Sequence, residues 1–174
     1  MKWHFFLLSV LILMYSCQNA KPPFVKLESS KTNITFNNKL HETHTYNYFT
    51  YPYMYLGGGV AVGDINNDGL EDLYFTGNMV PNKLYLNKGA MKFEDISMSA
   101  GVEGDERWFS GVTMIDINQD GYLDIYCAVG GKNEPNENVL YINNGNNTFS
   151  EKAKEYGIAD NGYSMHSTFF DYDK

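Results

Sequence analysis

The sequence predicts an all-β chain, a β-propeller of four-stranded blades with two full blades and the start of a third. Three observations lead there. A nine-residue acidic loop occurs twice, fifty-two residues apart. The short apolar runs on either side of it recur with it at nearly fixed spacing, so the chain has an internal period. Fourteen Tyr, 16 Gly and an aromatic share of 16% speak for many short strands and turns.

In chain order, Lys2 and His4 precede an apolar run from Phe5 to Tyr15 that ends in Ser16-Cys17. The run is too short to span a bilayer but fits the core of a secretory signal. Met14-Tyr15-Ser16-Cys17 resembles a bacterial lipobox, with Met14 where Leu is usual and Tyr15 where a small residue is usual. It implies removal of residues 1–16, lipidation of Cys17, and an address in the bacterial cell envelope, at the outer membrane or cell surface. Membrane contact would then run only through the lipid. An ordinary secretion signal is the alternative. Residues 17–23 read as a polar tether stiffened by Pro22-Pro23, and with Cys17 acylated, Cys127 becomes a lone, buried strand thiol.

Phe24 to Phe36 is weakly strand-like. Tyr46 to Tyr55 holds six aromatics in ten residues; Tyr51, Tyr53 and Tyr55 alternate and would share one face of an extended strand. They would either pack on a sheet or offer a platform for stacking sugars. His41-Glu42-Thr43-His44 lacks a third ligand and reads as an exposed turn rather than a zinc site. Gly57-Gly58-Gly59 precedes a strand, not a helix, which excludes a phosphate loop and leaves a bend or a close backbone approach.

The two loops are Asp64-Ile65-Asn66-Asn67-Asp68-Gly69-Leu70-Glu71-Asp72 and Asp116-Ile117-Asn118-Gln119-Asp120-Gly121-Tyr122-Leu123-Asp124. Side-chain oxygens at positions 1, 3, 5 and 9 with Gly at 6 describe a turn around a hard cation. The metal ligands would be Asp64, Asn66, Asp68, the Leu70 carbonyl and Asp72, then Asp116, Asn118, Asp120, the Tyr122 carbonyl and Asp124. Calcium suits this irregular oxygen shell better than magnesium, which keeps a strict octahedron and its waters. An Asx-rich hairpin turn is the metal-free alternative. An EF-hand fails because its twelfth position, which needs a bidentate Glu opening a helix, holds Phe75 and Cys127 in β-rich runs.

Each period offers a strand before the loop (Val60–Val62; Gly111–Ile115), one after it (Leu73–Thr76; Ile125–Val129), a Leu-Tyr-Leu/Ile strand ending in Asn87 or Asn143, and a weaker fourth from Phe93 or Phe149. In the second copy Ser150 to Tyr156 is open to a helical turn instead. The only length change before Gly157 is an insertion of four near Lys132 to Glu137. The repeats cover about 57–108 and 109–164, and a partial third covers 165–174, where Asp171 and Asp173 begin a third loop. Since propellers close with about four blades or more, the expectation is an N-terminal piece of a longer protein. Phe24, Leu27 and Asn33-Ile34 echo Phe93, Ile96 and Gly101-Val102, which suggests that the N-terminal segment gives the last blade an outer strand.

At these residues the chain resembles the FG-GAP/VCBS repeat superfamily, which includes the integrin α propeller, over roughly residues 24–174. More narrowly, Gly58-Gly59-Val60-Ala61-Val62-Gly63-Asp64 with Asn82-Lys83-Leu84-Tyr85-Leu86-Asn87 is similar to bacterial surface lipoproteins with ASPIC/UnbV domains and to the cartilage acidic proteins. The resemblance implies calcium as the cofactor at both loops and a module for binding or adhesion, with an extracellular glycan or protein as partner. Two alternatives stay open: a propeller of a polysaccharide lyase, with His166 and Arg107-Trp108 facing a pocket, or a scaffold for a further domain. No acid/base pair or nucleophile is evident in the spacing, so catalytic residues are not assigned. The net charge of −8 excludes nucleic acid as a natural partner. Residues 1–16 carry one Lys and no acid, so their removal leaves −9.

Overall fold

A computed structural model describes residues 24–132 and 135–173. The expected signal over 1–16, Cys17 and the expected tether over 17–23 lie outside the described residues. Eight strands form two antiparallel four-stranded sheets, each a meander in chain order. The first holds β1 (Val60–Gly63), β2 (Asp72–Phe75), β3 (Lys83–Asn87) and β4 (Phe93–Asp95); the second holds β5 (Phe109–Ile115), β6 (Asp124–Val129), β7 (Val139–Asn143) and β8 (Phe149–Glu151). The registers agree: Leu73 faces Tyr85 and Asn87 faces Phe93, as Ile125 faces Tyr141 and Asn143 faces Phe149. The chain is therefore all-β in two blades, as the period predicts. In the second copy the strand reading of the fourth element holds: β8 covers Phe149–Glu151, and a turn closing at Gly157 with φ 71° follows the strand rather than replacing it.

The blades stack face to face, with β1 lying against β5. Alternation along β2 and β3 sends Tyr74, Leu84 and Leu86 toward the second sheet, where they meet Phe109, Val112, Ile125, Cys127 and Val139 in one core. All six residues of β6 are buried, because its other face is covered as well: Tyr126 and Leu140 pack with Ile158 from the end of the second repeat and with Phe169 from the start of the third. That third segment lies beside β5. Met165 accepts the Gly111 N–H at 2.9 Å, and Ser110 and Thr113 donate their hydroxyls to the carbonyls of Ser164 and Ser167. The β-bulge in β5 between Phe109 and Val112 frees the Gly111 amide for this contact.

Two expectations fail. Tyr51, Tyr53 and Tyr55 do not share a strand face, because Pro52 opens a 3-10 helix over Pro52–Leu56. Its fixed φ suits a first helical turn. The helix buries Tyr51 and Met54 and leaves Tyr53 and Tyr55 exposed. Tyr51 packs with Trp108, whose ring also stacks on Tyr46 at 5.2 Å and 7°. The segment Phe24–Phe36 is likewise not a strand. It carries a short helix, Ser29–Thr32, ended by Asn33 in the left-handed region at φ 63°, and no strand partner lies beside it among the described residues. This matches the helix Ser97–Ala100, ended by Gly101 at φ 76°, so the sequence echo reflects a shared helical turn with a left-handed end rather than a strand. After the turn, Thr35 N–H meets the Tyr85 hydroxyl and Phe36 stacks on Phe75 at 5.1 Å, covering part of the first blade's outer face.

Candidate functional site: two acidic loops

Each loop links the first two strands of a blade, β1 to β2 and β5 to β6. In the first, Asp64 opens the turn, accepting the N–H of Asp68 at 3.1 Å and of Gly69 at 2.7 Å. Asn66 Oδ1 also accepts from Asp68, and Asp68 Oδ1 accepts the Leu70 N–H at 2.9 Å. The second loop repeats the pattern through Asp116, Asn118 and Asp120, with bonds of 2.9–3.1 Å. The backbone turns through positive φ at position 4 (Asn67 59°, Gln119 60°) and at position 6 (Gly69 84°, Gly121 90°). Asn67 tolerates the first of these, which Gln119 adopts in the second copy, and Gly adopts the second without steric cost.

The ninth position differs from the rest. Asp72 and Asp124 are fully buried at the first residue of β2 and β6. Each straddles its loop: Asp72 takes the N–H of Ile65 at 3.0 Å and of Asn87 at 2.7 Å, and Asp124 those of Ile117 at 3.1 Å and Asn143 at 2.8 Å. Burial raises the pKa of both carboxyls. The backbone N–H bonds work against that rise, and repulsion from the loop's other two aspartates adds to it.

In each loop two aspartates stand beside a buried third, and with the Asn amide oxygen and the position-7 carbonyl they make an all-oxygen donor set suited to a hard cation. In this conformation their oxygens are turned onto backbone N–H groups, and no group of three or more His, Cys, Asp or Glu side chains among the described residues is gathered tightly enough to hold an ion. Asp171 and Asp173 of the partial third loop are exposed.

The sequence reading missed Asn87 and Asn143. Their backbone amides hold Asp72 and Asp124, and their side chains tie down the loops' far ends: Asn87 Nδ2 donates to Glu71 O at 2.8 Å, and Asn143 Nδ2 to Leu123 O at 3.1 Å. Asn143 also reaches across to the Ile65 carbonyl of the first blade at 2.8 Å. A second amide crosses the same gap, from Asn67 Nδ2 to Gly121 O at 2.9 Å. Their signal in the sequence was the Asn that closes each Leu-Tyr-Leu/Ile run.

The profile of the FG-GAP-like repeat matches residues 64–127 and 116–174, so each match begins at the first aspartate of a loop. The chain belongs to the FG-GAP-like repeat family. Among curated proteins, this FG-GAP chain is 38% identical to cartilage acidic protein 1 of Xenopus tropicalis over 103 residues, 58% of this chain and 16% of that protein. It is 37% identical to the human cartilage acidic protein 1 over 89 residues, 51% of this chain and 13% of the relative. It is 33% identical to integrin alpha-8 of Gallus gallus over 105 residues, 52% of this chain and 10% of the relative. The FG-GAP stretch thus spans less than a fifth of each relative's length.

The residues weighed for a lyase-like pocket do not converge. Arg107 pairs with Asp105 at 2.7 Å, donates to the Glu137 carbonyl at 2.9 Å and lies over the Phe109 ring, while Trp108 is buried in the aromatic cluster. His166 is exposed on the third segment. His41 and His44 are exposed too.

Proposed function

We propose that this chain is the calcium-pinned part of an FG-GAP propeller on a lipid-anchored bacterial surface protein, and that it works by binding or adhesion. The observation that carries the reading is the duplicated hydrogen-bond lattice of the two loops. In both loops two aspartates and an Asn amide stand beside the same buried aspartate, at a cost in mutual repulsion that a divalent cation would offset. Bound calcium would supply a positive centre in each loop; the protein's part is to hold Asp72 and Asp124 in place through Asn87 and Asn143. With extracellular calcium about tenfold above Kd, each site would add about 1.4 kcal/mol to stability. The surface address is supported by the apolar run from Phe5 to Tyr15 and by Cys17. Mass spectrometry of the chain expressed in a bacterium should find Cys17 acylated, and an unmodified Cys17 would defeat that part.

The deciding experiment is calorimetric calcium titration of the full chain alongside thermal unfolding, with Asp68→Ala/Asp120→Ala as control. Two sites that raise the melting temperature, both lost in the control, support the reading. A folded chain that takes up no calcium returns the loops to Asx turns.

A further inference from the structure

At the end of the sheets away from the acidic loops lies an open cavity of about 470 Å³. Its walls come from three distant stretches: the 3-10 helix (Tyr51, Tyr53), the segment after β6 (Gly130, Lys132) and the entry to the third repeat (Tyr163). Tyr51 forms the floor. It is buried, donates its hydroxyl to the Gly130 carbonyl at 2.5 Å and meets Tyr53 edge-on at 6.1 Å. Tyr53 and Tyr163 stand at the walls, 60% and 71% exposed, and their hydroxyls make no hydrogen bond to other described residues.

The charge in the cavity is already engaged. The Lys132 ammonium sits 5.1 Å from the centre of the Tyr46 ring and donates to the Thr45 carbonyl, and no described carboxylate lines the walls. A matching ligand has a flat C–H face for the phenol rings, hydroxyls that donate to and accept from phenolic O–H groups, and no net charge. The chain's net charge of −8 disfavours polyanions further.

We propose that this cavity is a carbohydrate subsite, with Tyr53 and Tyr163 as its stacking residues and a neutral pyranose unit as its occupant. The proposal rests on the binding reading above and names its ligand class. The probes are cellohexaose, xylohexaose and mannohexaose, with polygalacturonate as the acidic comparator, titrated calorimetrically into the full chain with calcium. Binding of a neutral oligosaccharide should weaken about tenfold in Tyr53→Ala and in Tyr163→Ala, the loss expected for one stacked ring. It should be unchanged in Tyr48→Ala, an exposed aromatic that does not line the cavity. Neutral-sugar binding that survives both cavity variants would overturn the subsite while leaving the binding function intact. Preference for polygalacturonate, or no uptake of any probe by a chain that binds calcium, would overturn the ligand class.

Discussion

Asn143→Ala should cost far more stability than Asn87→Ala, although the two residues end the same motif in successive repeats. The Asn143 side chain is almost fully buried and makes three bonds: to Ile65 O, to Leu123 O, and from the Gly145 N–H. Truncation strands the buried Ile65 carbonyl in the neighbouring blade, and an unmet buried acceptor costs about 1–3 kcal/mol. With the remaining bonds weakened, the total comes to about 3 kcal/mol. Asn87 makes two bonds, to Glu71 O and from the Gly89 N–H, both where water can replace it, so its loss should cost about 1 kcal/mol. The difference of about 2 kcal/mol corresponds to about 4–8 °C in melting temperature for a chain of this size. Urea denaturation followed by tryptophan fluorescence, with calcium held constant, measures both. Equal costs, or a larger cost for Asn87→Ala, would refute the claim that Asn143 ties the blades together.

Gly59→Ala should destabilise by more than about 2 kcal/mol in the same assay. Its Cβ would stand 2.8 Å from Ser110 O and 2.9 Å from Val112 N, backbone that cannot yield without parting β5 from β1. Burial pushes Cys127 up to about 12, so alkylation at pH 8 should modify this residue only as fast as the chain unfolds. Burial, reinforced by neighbouring tyrosines, also pushes Tyr51 up to about 12 from an ordinary 10.0. Its folded pKa lies above its unfolded one, so its share of stability is whole below pH 10 and is lost as pH rises toward 12. Tyr51→Phe should flatten that alkaline decline in denaturation curves measured across the window.

Periodicity made the blade count and loop positions legible in the sequence, because one register serves both copies and each apolar run had a counterpart to check it. What the sequence hid were features set by a single copy or by contacts between copies. Tyr51, Tyr53 and Tyr55 alternate as a strand would, yet Pro52 opens a 3-10 helix and, among the described residues, no strand pairs with them. Phe24–Phe36 is weakly strand-like in sequence, while its conformation turns on Asn33, whose left-handed backbone ends a helical turn. The ligand positions were visible as a spacing. That Asp72 and Asp124 would be buried, and held by amides 15 and 19 residues further along, depended on β3 and β7 folding back beside them.

The two rims of the stacked blades obey different rules of length. On the rim of the acidic loops, both connections have the same number of residues, and Asn67 and Asn143 lock one to the next, so an added residue would break a chain of contacts running through successive repeats. On the opposite rim the second repeat already absorbs four extra residues between Lys132 and Glu137 while keeping its register, Ile125 opposite Tyr141 where the first has Leu73 opposite Tyr85. One rim serves as a gauge that fixes the spacing of repeats. The other is free to vary, and new recognition loops can be grafted there without disturbing the count.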